Sequence, residues 1–256
     1  MSLGDAIAPV PILRLGAAGW KLHAYPALDS TNDVARELPA WSAVTAGVQR
    51  MGRGRFGRAF ASAGGGLWLS AVVPAEPPAS RWAGFSLAVG LHVLRTLERI
   101  GIPEIRLRWP NDLMVGNRKL AGLLVEQGTD TTLVVGLGLN VSNRPWEQDP
   151  SLEFRAVNLV GLLSPVPEPD ELATPMLDAI ADAHDDLFNR GLEGVVTDLN
   201  ARWVPRKVVL ALHSGEQIDA TFEGLDPHGN LLIESSGGRR AVLPHNQIER
   251  LSEVTE

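Results

Sequence analysis

The pattern of the sequence changes at Trp203-Val204-Pro205, and this change is the strongest constraint on the fold. Before it, apolar runs typical of strands alternate with segments of helical spacing, such as 85–100, which ends at the stop signal Gly101. After it, short apolar runs alternate with Gly, Asn and Pro turns. We therefore predict a mixed α/β (α+β) domain at 1–204 and a small all-β domain at 205–256.

Composition excludes several classes of protein. Of the 256 residues, 45% are hydrophobic and 21% are charged, as in a soluble globular protein, and no apolar stretch approaches the ~20 residues of a membrane helix. The first residues lack the layout of a signal peptide and Cys is absent, which fits a reducing, cytoplasmic setting and excludes disulfides and thiolate catalysis. The net charge of −7 opposes wholesale binding to nucleic acid or an anionic membrane.

The charges are unevenly distributed along the chain. Residues 50–66, which we call the arginine loop, contain four arginines, no acid and six glycines. Clustered guanidinium groups repel each other unless an anion joins them, so we predict an anion-binding loop whose glycines let it close over a ligand. The alternative is a basic surface loop without a function. The segment 170–199 is acidic and lies within amphipathic helices that we predict at about 170–189 and 193–203. Its acidic residues indicate either a solvated helix face or attraction to a basic partner.

Residues 52–57 match the dinucleotide-binding pattern G-x-G-x-x-G, but their context differs. In a Rossmann fold this loop opens a helix, whereas the residues that follow here lack a helical apolar face and end in three glycines. We therefore predict no Rossmann site.

Two further segments carry candidate functional side chains. Pro110 ends a strand-like run and projects Asn111 and Asp112, which form either a site or an ordinary turn pair. Lys119 begins another such run, where it is either solvated or, near the arginine loop, a second anion contact. The strand-like run 132–141 contains a polar amide, Asn140.

Four separated motifs, in this order, resemble those of the biotin protein ligases. They are Ser30-Thr31-Asn32, Gln49 followed by GRGRFGR at 52–58, RWPND at 108–112 with KLAGLLVE at 119–126, and GLGLN at 136–140. The resemblance implies a class II aminoacyl-tRNA-synthetase-like catalytic domain, a mixed sheet with flanking helices, at 1–204. It implies an SH3-like β-barrel at 205–256. It also implies a monofunctional ligase, because the ~20 residues before the first matched segment are too few for an N-terminal DNA-binding domain.

The resemblance also assigns roles to individual residues. The biotin contacts that it implies are Ser30, Thr31, Asn32, Gln49, Arg53, Gly54, Arg55 and Lys119. The nucleotide contacts that it implies are Arg53, Arg55, Arg58, Phe60, Asn111 and Asn140. The catalytic residues that it implies are Lys119, Arg55 and Asp112, and it assigns no metal ligands.

Four positions depart from the family's pattern. Arg108 stands where the family usually has Lys, which keeps the charge but changes the reach and the donor geometry. Arg50-Met51 replaces a small or polar pair, and Phe60 replaces an aromatic that is commonly Trp but can still stack on adenine. His245-Asn246-Gln247 replaces the final Gly-Glu/Asp turn of the barrel.

The implied reaction has two steps. A carboxylate is a poor electrophile, so biotin first attacks the α-phosphate of ATP, with Mg²⁺, to give biotinyl-5′-adenylate and pyrophosphate. A lysine amine of a biotin carboxyl carrier domain, oriented or deprotonated by Asp112, then attacks the mixed anhydride and AMP leaves. A homodimer is compatible with this reaction, and neither DNA nor a membrane is an expected partner.

Three other functions stay open on the residues alone. A lipoate or octanoate ligase or transferase of the same superfamily also joins an acyl group to a carrier lysine, but typically has His-Asp after Gly-Gly-Gly, where this chain has Leu67-Trp68. A nucleic-acid-binding module fits the arginines but not the net charge. A catalytically inactive biotin sensor would carry the same motifs.

Overall fold

The computed structural model describes residues 10–153 and 155–254. The chain divides into two compact units, residues 1–185 and 186–256. The division lies within the last helix, earlier in the chain than the boundary predicted near residue 204. The functional boundary at 204/205 therefore stays a prediction.

The first unit contains one mixed sheet. Its strands are β1 (Val10–Leu15), β2 (Trp20–Leu28), β3 (Ser42–Gln49), β4 (Gly66–Pro74), β5 (Ile105–Arg108), β6 (Asp112–Val115), β7 (Arg118–Gln127) and β8 (Thr132–Asn140). Their order across the sheet is β1-β2-β3-β4-β8-β7-β6-β5. The β2 and β3 strands run parallel and the other neighbouring pairs run antiparallel. The mixed sheet that the resemblance implies is thereby confirmed.

The helices flank this sheet as predicted. They are α1 (Thr31–Ala35), α2 (Phe85–Ile100), α3 (Pro145–Gln148) and α4 (Pro169–Asn200). The α2 helix packs on β5, β6 and β7, and α1 packs on β3, β4 and β8. The α2 helix ends at Gly101, which adopts φ 102° in the left-handed region that glycine accepts. The α4 segment is interrupted at Gly191, where φ is 68°, close to the predicted gap between two helices.

The second unit contains an antiparallel sheet that follows the end of α4. Its strands are β9 (Arg206–Leu212), β10 (Gln217–Leu225), β11 (Leu231–Ser235), β12 (Arg240–Leu243) and β13 (Ile248–Glu253), in the order β12-β11-β10-β9-β13. The Asn200 side chain donates to the Leu225 carbonyl and accepts from its N–H, at 2.8 and 3.0 Å. The predicted all-β module is confirmed, and its closure into an SH3-like barrel stays a prediction.

Strand β8 shows how the sheet positions a site. Side chains alternate between the two faces of a strand, and Leu137 and Leu139 are at most 2% exposed. Gly136 and Gly138 therefore face the opposite side, where α1 and the arginine loop lie. In the described part of the chain, every helix is too short or too polar to cross a membrane.

Candidate functional site

The floor of the candidate site is made of glycines on β7 and β8. Gly122 pairs with Gly138 across the two strands, and Gly136 lies two residues earlier on β8. A Cβ on Gly136 would lie 2.5 Å from Oδ1 of Asn32, and one on Gly138 would lie 2.6 Å from Cε1 of Phe60. These positions are open only because glycine has no side chain, so other groups approach the sheet closely.

One end of this floor is lined by uncharged polar side chains. Gln49 Oε1 accepts from the backbone N–H and the hydroxyl of Thr31, at 2.8 and 3.0 Å. The Ser70 hydroxyl lies 2.7 Å from Thr31 Oγ1 and 2.5 Å from Asn32 Oδ1. Gln49 Nε2 donates to Ser62 Oγ at 3.0 Å. We call these five residues the polar network.

Ser30 lies beside this network at the N-cap of α1. Its backbone is extended, as is typical of an N-cap residue, but its side chain makes no capping hydrogen bond. The residue is 4% exposed, and its hydroxyl has no hydrogen-bond partner among the described residues. Ser30 is therefore free to bond a ligand.

The other end of the floor carries positive charge. Lys119 Nζ lies 2.6 Å from Asp112 Oδ1, and Arg108 donates to Asp112 Oδ2 at 2.6 Å. A Cβ on Gly122 would lie 2.7 Å from Lys119 Nζ, so the ammonium group lies against the glycine floor. We call Arg108, Asp112 and Lys119 the cationic cluster, because two cations share one carboxylate.

The two cations keep Asp112 ionised. Burial favours the neutral acid, but the charges of Lys119 and Arg108 and their hydrogen bonds outweigh burial and hold the pKa of Asp112 below its ordinary value. Arg55 feels the negative charge of Asp112, which opposes the lowering of its own pKa by burial and by the nearby Arg58. Arg55 therefore joins the cationic cluster electrostatically without forming a direct ion pair.

Acidic side chains of the protein neutralise two of the four arginines in the arginine loop. Arg50 lies 3.7 Å from Asp29, and Arg53 forms a two-pronged contact with Asp33, at 2.9 and 2.5 Å. This hydrogen-bonded pair lowers the pKa of Asp33. Arg53 is thus anchored within the protein, and its predicted contacts with biotin and the nucleotide stay predictions.

Arg55 and Arg58 are the two arginines that are left for an anion. Both guanidinium groups lie over the ring of Phe56, at 4.9 and 5.6 Å from its centroid. Phe56 adopts φ 59°, within a short 3₁₀ turn at Arg55–Gly57 that no α-helix follows. This geometry agrees with the exclusion of a Rossmann site.

Phe60 closes one side of the floor. Its ring lies 6.0 Å from the Trp68 ring, and Lys119 Nζ lies 5.1 Å from the Phe60 centroid. The ring covers Gly138, so it borders the space between the polar network and the cationic cluster. The predicted stacking of Phe60 on adenine stays a prediction.

The remaining predicted residues bond chiefly to the backbone. Asn111 donates to the Leu123 carbonyl, and Asn140 donates to the Val157 carbonyl at 3.1 Å while its own oxygen accepts from Asn143 at 2.9 Å. The Gly54 N–H donates to the Arg58 carbonyl at 2.7 Å, which closes the turn of the arginine loop. The nucleotide roles of Asn111 and Asn140 stay predictions, because both amides already have partners.

Sequence reasoning missed several partners in this site. Ser62, Ser70 and Asp33 were not assigned roles, and Glu126, the last residue of KLAGLLVE, accepts from Asn32 at 2.7 Å. A signal for two of them exists, because Ser70 and Glu126 are polar residues within otherwise apolar strands.

A family model described as the biotin/lipoate A/B protein ligase family matches residues 26–140. The chain is also 31% identical over 257 residues to the bifunctional ligase/repressor BirA of Escherichia coli (strain K12), covering 90% of this chain and 76% of that protein. The chain belongs to the biotin/lipoate A/B protein ligase family. The resemblance inferred from the four motifs is confirmed.

Two further proteins that the chain resembles are named as biotin ligases. The chain is 31% identical over 210 residues to the biotin–[acetyl-CoA-carboxylase] ligase of Mycobacterium tuberculosis (strain ATCC 25618 / H37Rv), covering 79% of this chain and 76% of that protein. The biotin protein ligase of Aquifex aeolicus, solved in complex with biotin and ATP, matches with a TM-score of 0.79 and 26% identity. That match covers 91% of this chain and 99% of the other.

Proposed function

We propose that this protein joins biotin to a lysine of a biotin carboxyl carrier domain in an ATP-dependent reaction through biotinyl-5′-adenylate. The observation that carries the proposal is the division of the site into an uncharged polar network, a glycine floor and a cationic cluster. The relatives named as biotin ligases, and the Aquifex enzyme solved with biotin and ATP, support the same chemistry.

The three parts of the site match the three chemically different parts of biotin. Its ureido ring is neutral and both donates and accepts hydrogen bonds, as the polar network and the free Ser30 hydroxyl require. Its acyl chain is apolar and fits over the glycines beside Phe60, and its carboxylate needs the positive charge at Lys119. Lipoate and octanoate offer no polar head to the network, and leaving buried polar groups unpaired disfavours such analogues strongly.

The first step brings two anions together. The biotin carboxylate attacks the α-phosphate of ATP, the bond between the α- and β-phosphates breaks and pyrophosphate leaves, while Lys119 and Arg55 offset the negative charge that accumulates there. The described residues contain no group of three or more His, Cys, Asp or Glu that could hold a metal alone. Mg²⁺ typically keeps waters and phosphate oxygens beside one or two carboxylates, so it would enter with ATP and neutralise its phosphates near Asp112.

The second step transfers the acyl group to the carrier lysine. Because the pKa of Asp112 is lowered, its carboxylate is a weak base, and we assign it to orienting the incoming amine by accepting a hydrogen bond. Attack on the mixed anhydride then releases AMP. The absence of Cys fits a reducing, cytoplasmic location for this reaction.

Mass spectrometry of a carrier domain tests the proposal. Incubation with the protein, ATP, Mg²⁺ and biotin is expected to add one biotinyl group to one lysine, and omission of ATP is expected to abolish the addition. Lipoate and octanoate serve as competing acids. Preferential transfer of either one over biotin, or no transfer of any acid, would overturn the proposal.

Substitutions at the cationic end test the assigned roles. Lys119→Ala and Arg55→Ala each remove charge-assisted hydrogen bonds worth about 2–3 kcal/mol, so we expect a roughly 30- to 150-fold loss of adenylate formation, measured by pyrophosphate release. Lys21→Ala and Arg144→Ala are the matched controls, because both side chains lie outside the site. Rates equal to the controls would refute the assignment.

A further inference from the structure

One carboxylate oxygen connects three parts of the candidate site. Glu126 Oε2 on β7 accepts from Asn32 Nδ2 at 2.7 Å and lies 3.3 Å from Arg36 NH2 and 3.4 Å from Arg53 NH2. Asn32 and Arg36 come from α1 and its C-cap, whereas Arg53 comes from the arginine loop. The Glu126 side chain is 25% exposed, so water only partly screens these contacts.

The carboxylate fixes the orientation of the Asn32 amide. An ionised carboxylate only accepts hydrogen bonds, so Asn32 must turn its NH₂ group toward Glu126 and its oxygen toward Ser70 Oγ, 2.5 Å away. The reverse orientation would place the amide oxygen against the carboxylate, where two acceptors repel each other.

This orientation controls the polar network. The Ser70 hydroxyl has one hydrogen, for which Asn32 Oδ1 and Thr31 Oγ1 compete at 2.5 and 2.7 Å. With Glu126 present, Asn32 offers an acceptor to that hydrogen. Without Glu126 the amide is free to flip, and the Ser70 hydrogen then goes to Thr31. Glu126 therefore sets the donor and acceptor pattern of Thr31, a residue that the proposed function places on biotin.

The same carboxylate holds the base of the arginine loop. Arg53 contacts both Asp33 and Glu126, so two acids from α1 and β7 offset its charge. Together with Arg36 they form a set of two cations and two anions. The polar end of the site is consequently neutral, which suits a neutral head group, while Lys119 of the cationic cluster lies on β7, the strand that also carries Glu126.

We propose that Glu126 is a positioning residue for biotin recognition, which orients the Asn32 amide and ties the arginine loop to β7. This inference rests on the proposed function, because it takes the head group of biotin as the ligand of the polar network. Glu126 itself acts through Asn32 and Arg53.

A double-mutant cycle tests the first half of the proposal. Glu126→Gln is expected to raise the KM for biotin about tenfold, with the KM for ATP changed less than twofold. In an Asn32→Ala background the same change is expected to alter the KM for biotin less than twofold, because residues that act as a unit are non-additive. A merely structural role would give equal effects in both backgrounds and would overturn the proposal.

Trypsin cleavage of the substrate-free protein tests the second half. Glu126→Gln is expected to speed cleavage after the arginines of the loop several-fold, while Glu147→Gln, the matched control at an exposed ion pair, leaves it unchanged. Cleavage at the wild-type rate would overturn the inference. This measurement needs no substrate, so it judges Glu126 even if the wild-type protein transfers no biotin, a result that would refute the proposed function separately.

Discussion

At the scale of single residues, the site depends on a carboxylate held between two cations. Asp112 contacts Arg108 with one oxygen and Lys119 with the other, so each cation has a defined partner. Arg108 therefore has a specific contact here. Its removal leaves a largely buried carboxylate that keeps Lys119 as its direct cationic partner among the described residues.

Arg108→Ala is expected to raise the pKa of Asp112, because burial raises this pKa and one of the two cations that lower it is then absent. The lowered pKa of Asp112 stabilises the fold above the pKa of the unfolded chain, and this stabilisation is lost as the pH falls through the folded value. We therefore expect Arg108→Ala to lower the free energy of unfolding by about 1–3 kcal/mol at pH 7, a difference that disappears in acid.

Urea unfolding across this pH range and carboxyl NMR titration of Asp112 measure both effects. Arg108→Lys keeps the charge and is expected to keep most of the lowering of the pKa, which separates charge from guanidinium geometry. A variant whose stability deficit is the same at acidic and neutral pH would contradict the assignment of the Arg108 contact.

At the scale of secondary structure elements, local patterns predicted the helix α2 but missed the strand β6. The α2 helix has apolar residues at helical spacing and ends at a glycine, so its range 85–100 could be predicted from the sequence. The β6 strand has four residues within a motif that resembles a turn, and pairing with β5 and β7 makes it a strand. Such pairing is non-local, so composition and periodicity carry no sign of it.

The same limit applies to the site. Its motifs identified Thr31, Gln49 and Lys119, because the resemblance preserves their order and spacing. The acids that bind Arg53 could not be predicted, since they lie 20 and 73 residues away in sequence on other elements. The fold brings them together, and they decide which arginines remain for a ligand.

The glycine floor predicts a measurable effect of a single methyl group. In Gly138→Ala, the new Cβ would lie 2.6 Å from the far edge of the Phe60 ring, which can move aside without disturbing β8. We expect the KM for biotin to rise about tenfold (~1.4 kcal/mol) while the melting temperature changes little. Gly237→Ala is the control, because no atom lies within 4 Å of its Cβ. An unchanged KM would show that the floor does not contact biotin.

At the scale of the whole molecule, the balance of acidic and basic residues bears on two functions named among the relatives, ligase and repressor. The E. coli relative is named both ligase and repressor. This chain has 23 basic and 30 acidic residues, and the arginine loop is a local exception to this net acidic charge. Two of its four arginines are already paired with Asp29 and Asp33. The site therefore has enough positive charge for a small anion, whereas the net charge of −7 opposes wholesale binding to nucleic acid.

We expect no sequence-specific binding of the protein to duplex DNA. Affinity for DNA comes largely from Lys and Arg that neutralise successive phosphates, and it falls steeply between about 50 and 200 mM salt. The segment 205–256 has five such bases, Arg206, Lys207, Arg239, Arg240 and Arg250. It has eight acids, Glu216, Asp219, Glu223, Asp226, Glu234, Glu249, Glu253 and Glu256. Fluorescence anisotropy with labelled duplexes, at low and moderate salt and with or without biotin and ATP, measures this directly. Selective binding of one duplex at micromolar protein, weakened by salt, would show that the net acidic charge does not exclude a role on DNA.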